Sequence, residues 1–315
     1  MSHHGQEVAL TGATGFIGRH ILDALIQAGW NVKALTRPGS SHRIPDTGRI
    51  TKIEGDLGDE NCLETLIRGV QAVIHCAGVV RGASQYDFDL VNVEGTTRLF
   101  DICNRCPSPP RFLHISSLAA RAPHLSYYAA SKQKAETVIT GSGLDISWTI
   151  LRPTAVYGPG DKELLPLFRA MAKGICPVPY NSKTQRISLL HVHDLSNAVI
   201  DILKKSDTRN KIYELHDGQP RGYTWEEIAE TVQKITGQRI ICIKIPNTIV
   251  KILGLVNIGA SKMVGRAPML TPGKVRELLY PDWTADNTQI TKDTGWIPTV
   301  TLERGIRDLL SGIGL

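Results

Sequence analysis

Apolar runs of strand length alternate with runs of helical spacing over the first half of the chain. Val8 to Leu10, Val32 to Thr36, Ile50 to Glu54, Ala72 to His75, Arg111 to Ser116 and Ile146 to Leu151 read as six strands. Between them, a segment ending at Gly29, another around Leu63 to Ile67, and two from about Tyr86 to Cys103 and Tyr127 to Val138 read as helices. Parallel strands need crossover connections, which helices supply, so the alternation predicts an α/β fold with a doubly wound parallel sheet. Ligands of such sheets sit at the carboxyl ends of the strands.

After Arg152-Pro153 the alternation loosens, and Pro159, Pro166, Pro177 and Pro179 punctuate a loop-rich insert. Ile187 to His191, a helix following Asp194, and Ile212 to Leu215 read as a return to the sheet. From about Gly218 the chain is helix-rich and reads as a smaller lobe covering the crevice. The expected division is a dinucleotide-binding domain of residues 1–159 and 186–217, with a discontinuous substrate lobe of residues 160–185 and 218–315.

The run Thr11-Gly12-Ala13-Thr14-Gly15-Phe16-Ile17-Gly18 lies between the first strand and the first helix. Glycines at such a turn let the backbone approach a pyrophosphate, and the first-turn N–H groups and positive helix end receive its charge. The spacing is GxxGxxG, with Ile17, Ile21, Leu22 and Leu25 continuing as an apolar helix face. Tyr128 and Lys132 stand four residues apart on one face of the helix after the fifth strand, where both reach one crevice. A cation beside a phenol favours the phenolate and brings its pKa from about 10 toward neutrality, which suits an acid–base pair. Ser116 and Ser117 end the preceding strand, where one of them can orient a substrate oxygen.

Lys plus Arg exceed Asp plus Glu by 36 to 30, spread along the sequence without a basic cluster, so no nucleic-acid partner is expected. Arg19, Arg37 and Arg43 are placed to meet an anionic cofactor. The six cysteines are scattered; Cys103 and Cys106 form a CxxC without a second ligand pair, so no metal is expected, and reduced thiols suit a cytoplasmic chain. No stretch reaches the roughly 18–20 apolar residues of a membrane span. Ile245 to Ile258 and Met263 to Leu270 are apolar enough to suit an apolar small-molecule substrate.

Taken in order, these motifs resemble the extended short-chain dehydrogenase/reductase superfamily, the NAD-dependent epimerase/dehydratase group, along the whole chain. TGATGFIG resembles its nucleotide fingerprint, Gly55-Asp56-Leu57 its adenine-side motif, His75-Cys76-Ala77-Gly78 the end of its fourth strand, and Val91-Asn92-Val93-Glu94-Gly95-Thr96 its asparagine motif. His114-Ile115-Ser116-Ser117, the run from Leu151 to Asp161, His191-Val192-His193-Asp194 and Gly295-Trp296-Ile297-Pro298 complete the series. The resemblance implies a Rossmann-type fold and a catalytic set of Ser117, Tyr128, Lys132 and Asn92. Tyr128 would exchange a proton with substrate, Ser117 would bond the reacting oxygen, Lys132 would bind the nicotinamide ribose and hold down the phenol pKa, and Asn92 would support the network. It also implies cofactor contacts at Gly12, Thr14, Gly15, Phe16, Ile17, Gly18, Arg37, Asp56, Leu57, Cys76, Ala77, Gly78, Lys132 and Pro153, and a homodimer through the helices after Tyr86 and Tyr127.

Three departures shape the functional expectation. The Ser117-to-Tyr128 interval is short for the superfamily, which puts the serine–tyrosine geometry in question. The second strand ends Leu35-Thr36-Arg37 where NAD-preferring members place an acid; Arg37 can pair with a ribose phosphate, so NADP is expected, although stacking of Arg37 on adenine leaves NAD open. Leu118 and Ala119 replace the acidic pair of sugar dehydratases, and Ile187 stands where nucleotide-sugar epimerases carry an arginine, with Arg186 one step out of register. The expectation is carbonyl/alcohol redox, resembling the dihydroflavonol-reductase and 3-beta-hydroxysteroid-dehydrogenase branches. The alternatives are an epimerase that retains NAD and a noncatalytic dinucleotide-binding assembly or regulatory protein.

Overall fold

Seven strands, all parallel, make the central sheet of the computed structural model, which describes residues 6–141, 143, 146–180, 184–252, 254 and 270–311. They are β1 (Glu7–Thr11), β2 (Asn31–Thr36), β3 (Ile50–Glu54), β4 (Ala72–His75), β5 (Arg111–Ile115), β6 (Trp148–Pro153) and β11 (Lys211–Leu215), in the order β3-β2-β1-β4-β5-β6-β11. The strand order reverses at β1, so the ligand crevice opens at the carboxyl ends of β1 and β4.

The strands are apolar nearly throughout because each face meets its own helical layer. Val8, Leu10, Ile74 and Leu113 pack under α1 (Phe16–Gln27) and α7 (Val192–Leu203), through Leu22, Leu25, Leu195 and Val199. Ala9, Val73 and Phe112 face α2 (Glu60–Ile67), α4 (Gly95–Asn104) and α5 (Tyr127–Gly141), through Leu63, Leu66, Leu99, Phe100 and Ile139. Each fully buried Leu or Ile of these layers is worth roughly 1.5–3 kcal/mol.

A third apolar cluster lies beyond the sheet. It joins Tyr157 of β7 (Ala155–Tyr157) to Phe168 and Met171 of α6 (Leu165–Ala172), Trp225 and Ile228 of α8 (Trp225–Thr236), and Ile306 of the C-terminal α11 (Leu302–Ser311). A two-stranded parallel ribbon, β8 (Ile175–Pro179) with β12 (Ile241–Ile245), flanks it.

The structure differs from the sequence reading in three places. The helix expected from Tyr86 to Cys103 is broken into α3 (Gln85–Asp89), a π-helical turn Leu90–Glu94, and α4; the wider turn carries the buried Asn92 side chain. Ile187 to His191 does not return to the main sheet. It splits into β9 (Arg186–Ile187), paired with β13 (Asp282–Trp283), and β10 (Leu189–His191), paired with β7, and only β11 rejoins the seven strands. Finally, Ile290 of α10 (Thr288–Thr294) and Trp296, expected in the smaller lobe, pack into the cluster under the main sheet. Their anchor is Asp194, fully buried, whose carboxylate accepts the Thr299 and Val300 N–H groups and whose carbonyl accepts Trp296 Nε1–H at 3.1 Å. Of the two apolar stretches read from sequence, residues 253 and 255–269 lie outside the described residues.

Candidate active site

One cavity of about 1900 Å³ runs along the carboxyl edge of the sheet and under the helices beyond it. Every predicted site residue lines it except Asn92 and Lys132, which are buried behind its wall. At one end the glycine turn is built by backbone contact. Gly12 has φ +75°, and a Cβ there would stand 2.7 Å from Ala77 N; a Cβ at Gly18 would stand 2.1 Å from Gly12 O. Gly15 is the N-cap of α1, with no side chain on the helix end and no acid in the first turn, so the amides after it face the cavity free for an anion. This arrangement fits a dinucleotide pyrophosphate. Beyond it Asp56 accepts Gly58 N–H at 2.6 Å, and Arg37 and Arg43 line the same end of the cavity without an ion-pair partner among the described residues.

The serine question left by the sequence is decided by partners. Ser116 is buried and donates a short hydrogen bond to Glu136, which also takes the Arg152 guanidinium in a bidentate pair at 3.0 and 2.5 Å. That cluster fastens α5 to β6. Ser117, which like Ser116 lines the cavity, lies close enough to the Tyr128 phenol for its hydroxyl to pull the phenol pKa down, so the short interval between them does not part the pair. It folds as a 3-10 turn, Leu118–Arg121, capped by Ser117 Oγ accepting Ala119 N–H at 3.2 Å.

The phenol itself departs from expectation. Burial raises the Tyr128 pKa, against the lowering pull of the Ser117 hydrogen bond and of the Lys274 charge. Lys132 does not act on the phenol in this state: its ammonium donates to Ile115 O at 2.8 Å, and burial pushes it down to about 8 against the pull of Cys76 and Glu136. The physical reason is that Lys132 is buried behind the cavity wall with its ammonium taken by the Ile115 carbonyl.

Behind the wall a chain of hydrogen bonds sets the loop after β4. Thr96 Oγ1 donates to Asn92 O at 2.7 Å and so accepts from His75 Nε2–H at 2.9 Å; His75 Nδ1 then accepts from Thr11 Oγ1–H at 2.8 Å, and Thr11 accepts Ala77 N–H at 3.1 Å. Burial, and next the Lys132 charge, hold His75 down to about 3, so this tautomer is neutral throughout the physiological range. The Asn92 amide brackets Val79 with both its backbone groups, at 2.8 and 3.0 Å, and donates to Ser131 Oγ at 2.9 Å, which bonds Tyr128 O. Asn92 therefore positions the first turn of α5 and the Gly78 loop together; it is a positioning residue.

The sequence reading missed the opposite wall. Helix α9 (Pro272–Leu279) docks on the start of α5: Gly273 abuts Ser126, Arg276 Nε donates to Leu125 O at 2.7 Å, and Ser126 donates a very short hydrogen bond to Glu277. Lys274 pairs with Glu277 at 3.0 Å, and its half-exposed side chain lines the cavity. Burial works against its charge, but Glu277 outweighs that and raises its pKa. No motif marks Lys274; the only signal was the short Ser117-to-Tyr128 interval, which leaves room for α9. Thr154 and Ser188 add two buried cavity hydroxyls with no partner among the described residues. Ile187 lines the cavity, whereas Arg186 turns outward to Glu227 at 3.2 Å.

A parallel sheet with a glycine-cradled anion site at its switch point and a serine–phenol pair at the next strand ends defines an extended short-chain dehydrogenase/reductase. Residues 8–215 match the model of the NAD dependent epimerase/dehydratase family, and the chain belongs to that family. It is similar to the ceramide reductase of Caulobacter vibrioides, 35% identical over 286 residues that cover 90% of this chain and 88% of that protein. It is also similar to the 3 beta-hydroxysteroid dehydrogenase/Delta 5-->4-isomerase of Mycobacterium tuberculosis, 26% identical over 338 residues, 96% of this chain and 89% of that one. The solved UDP-glucuronic acid 4-epimerase of Bacillus cereus in complex with NAD shares the fold, with a TM-score of 0.77 at 18% identity over 98% of this chain and 99% of that chain.

Proposed function

We propose that this chain reduces the carbonyl of an apolar, ceramide-class lipid with NAD(P)H. The observation that carries the reading is the placement of Tyr128, a buried phenol beside Ser117, in the wall of one largely apolar cavity that also takes in the glycine turn. Reduction needs an acid at the carbonyl oxygen, and the phenol is one; in the reverse direction the same group takes the proton back. The cavity takes in both the cofactor end and the space beyond it. Its far walls, Leu164, Phe168, Ile187, Leu189, Trp225 and Ile228, suit alkyl chains. Likeness to a protein named ceramide reductase supports the same substrate class.

The bound reduced nicotinamide supplies the hydride. Ser117 orients the carbonyl oxygen, and the Tyr128 phenol gives it a proton as negative charge develops there. Lys132, once released from Ile115 O, would hold the ribose hydroxyls of the cofactor, and the positive charge of Lys274 steadies the phenolate left behind. Asn92, acting through Ser131, keeps Tyr128 in register. In this reading the cofactor is NADPH in preference to NADH, because Arg37 and Arg43 face the adenosine end with no carboxylate partner among the described residues. Arg37→Ala is expected to erase most of that preference, a loss of roughly ten- to a hundredfold in NADPH affinity and little in NADH affinity, consistent with one charge-assisted contact of roughly 1.5–3 kcal/mol. Fluorescence titration of both cofactors against both proteins measures it; an unchanged ratio contradicts the assignment.

A pH dependence follows from Lys132. Its ammonium is present below about 8 and lost above it, so nicotinamide affinity falls as pH rises through that value. Titrations from neutral to alkaline pH show the fall in the wild type and a flat profile in Lys132→Met. A second reading, an epimerase that retains NAD, is favoured by the solved relative in complex with NAD; the outward turn of Arg186 and the apolar Ile187 weigh against a sugar-nucleotide substrate. NAD that copurifies with the protein and resists dialysis would favour it.

A further inference from the structure

We propose that the face formed by the β8–β12 ribbon and the helical residues 247–252 docks on an anionic lipid bilayer. In the parallel register of this ribbon, Ile175 pairs with Ile241, Pro177 with Ile243 and Pro179 with Ile245, so these six side chains share one side. Ile175, Ile241, Ile243 and, on the adjoining helix, Ile249 and Ile252 are each 47–60% exposed. Ile175, Ile241 and Ile243 lie together on one side of the ribbon and the helical turn that follows adds Ile249 and Ile252, and exposed apolar patches of this kind mark contact surfaces.

Charge selects the occupant. Segments 173–180 and 238–252, which the ribbon brings together, contain Lys173, Arg239, Lys244 and Lys251, all exposed, and no Asp or Glu. Lys173 and Arg239 precede the two strands and Lys251 lies on the adjoining helix between Ile249 and Ile252, whereas Lys244, in register with the buried Val178, is on the ribbon's other side, 6.0 Å over the Tyr180 ring. An apolar face flanked by cations complements an anionic headgroup layer over acyl chains. No helix of the described residues is long and apolar enough to cross a membrane, so the contact is with the surface.

The patch is continuous with the cavity: Pro177, Pro179, Ile245 and Val250 belong to the cavity wall. A bilayer lying on it would sit at the cavity mouth, and a lipid could pass from leaflet to site without crossing water. This delivery role rests on the lipid-carbonyl reading, whereas the docking does not.

Flotation of the full-length protein with equimolar phosphatidylglycerol–phosphatidylcholine vesicles tests the docking. The wild type is expected to float with them and to remain in solution with pure phosphatidylcholine. Each surface cation near such a layer contributes roughly fivefold to partitioning, so Arg239→Gln with Lys251→Gln lowers the partition coefficient by about twenty-five-fold, and Ile243→Asp with Ile252→Asp abolishes binding. NADPH titration confirms that each variant is folded. The proposal is overturned if the wild type stays in solution with anionic vesicles, if these substitutions leave its binding unchanged, or if light scattering shows the same substitutions splitting a dimer of this chain. Docking that survives together with no turnover of a ceramide-class ketone would sink the substrate reading and leave the membrane face standing.

Discussion

Tyr128→Phe is expected to lower the rate of carbonyl reduction by about 10²–10⁴-fold, the usual contribution of a positioned proton donor, with cofactor affinity nearly unchanged. The change removes one oxygen from a ring that packs near Phe88 at 6.2 Å between centroids, and Phe fills the same space. The partner lost is Ser117, whose hydroxyl keeps its bond to Ala119 N–H, so the 3-10 turn after β5 holds its shape. Steady-state turnover measured beside an NADPH titration separates the two effects. Equal loss of binding and turnover would mean that Tyr128 supports the fold rather than the proton transfer. Unchanged turnover would move the acid elsewhere, and the exposed ammonium of Lys274 would be the next group to test.

Gly18→Ala is the second large effect. The new Cβ would stand 2.1 Å from Gly12 O and 2.6 Å from Gly12 C, and neither atom belongs to a side chain that can turn away. Overpacking costs about 1–3 kcal/mol even where side chains can yield, so the cost here is expected at or above the upper end. Relief requires moving α1 off the turn after β1, which spoils the free amides that receive a pyrophosphate. The expected result is a drop of several degrees in Tm together with loss of NAD(P)H binding. Gly48→Ala is the control: its Cβ meets open space, and both properties should match the wild type.

The parts of this molecule that sequence foretold are local. The strand, turn and first helix of the dinucleotide site lie within one short stretch, and the glycine spacing states the backbone contacts directly. Tyr128 and Lys132 share a helix, so their common face follows from spacing alone. What escaped depends on distance along the chain. Thr11 meets His75 across 64 residues and Ser126 meets Glu277 across 151, and neither pair carries a pattern of its own. Ile187 to His191 looked like a strand of the main sheet because apolar runs of that length say nothing about their partner; β7 and β13 took them instead. The phenol pKa was misjudged for a similar reason. Spacing put a cation near Tyr128 but not the direction in which Lys132 would turn, and Ile115 O took the ammonium. Spacing alone does not tell Ser116 from Ser117; the family resemblance named Ser117, and the structure adds that Glu136 and Arg152 occupy Ser116.

The central claim is that the buried Tyr128 phenol gives the proton as a nicotinamide-dependent reduction of a lipid carbonyl takes place in this cavity. Its most direct test is to incubate the purified protein with NADPH and a ceramide-class ketone, following nicotinamide absorbance and identifying the lipid product by mass spectrometry. The account predicts consumption of one NADPH per alcohol formed, abolished by Tyr128→Phe, with no reaction on UDP-sugars. Epimerised UDP-sugar with no net change in nicotinamide, or a folded and NADPH-bound protein that leaves the ketone intact, would contradict it.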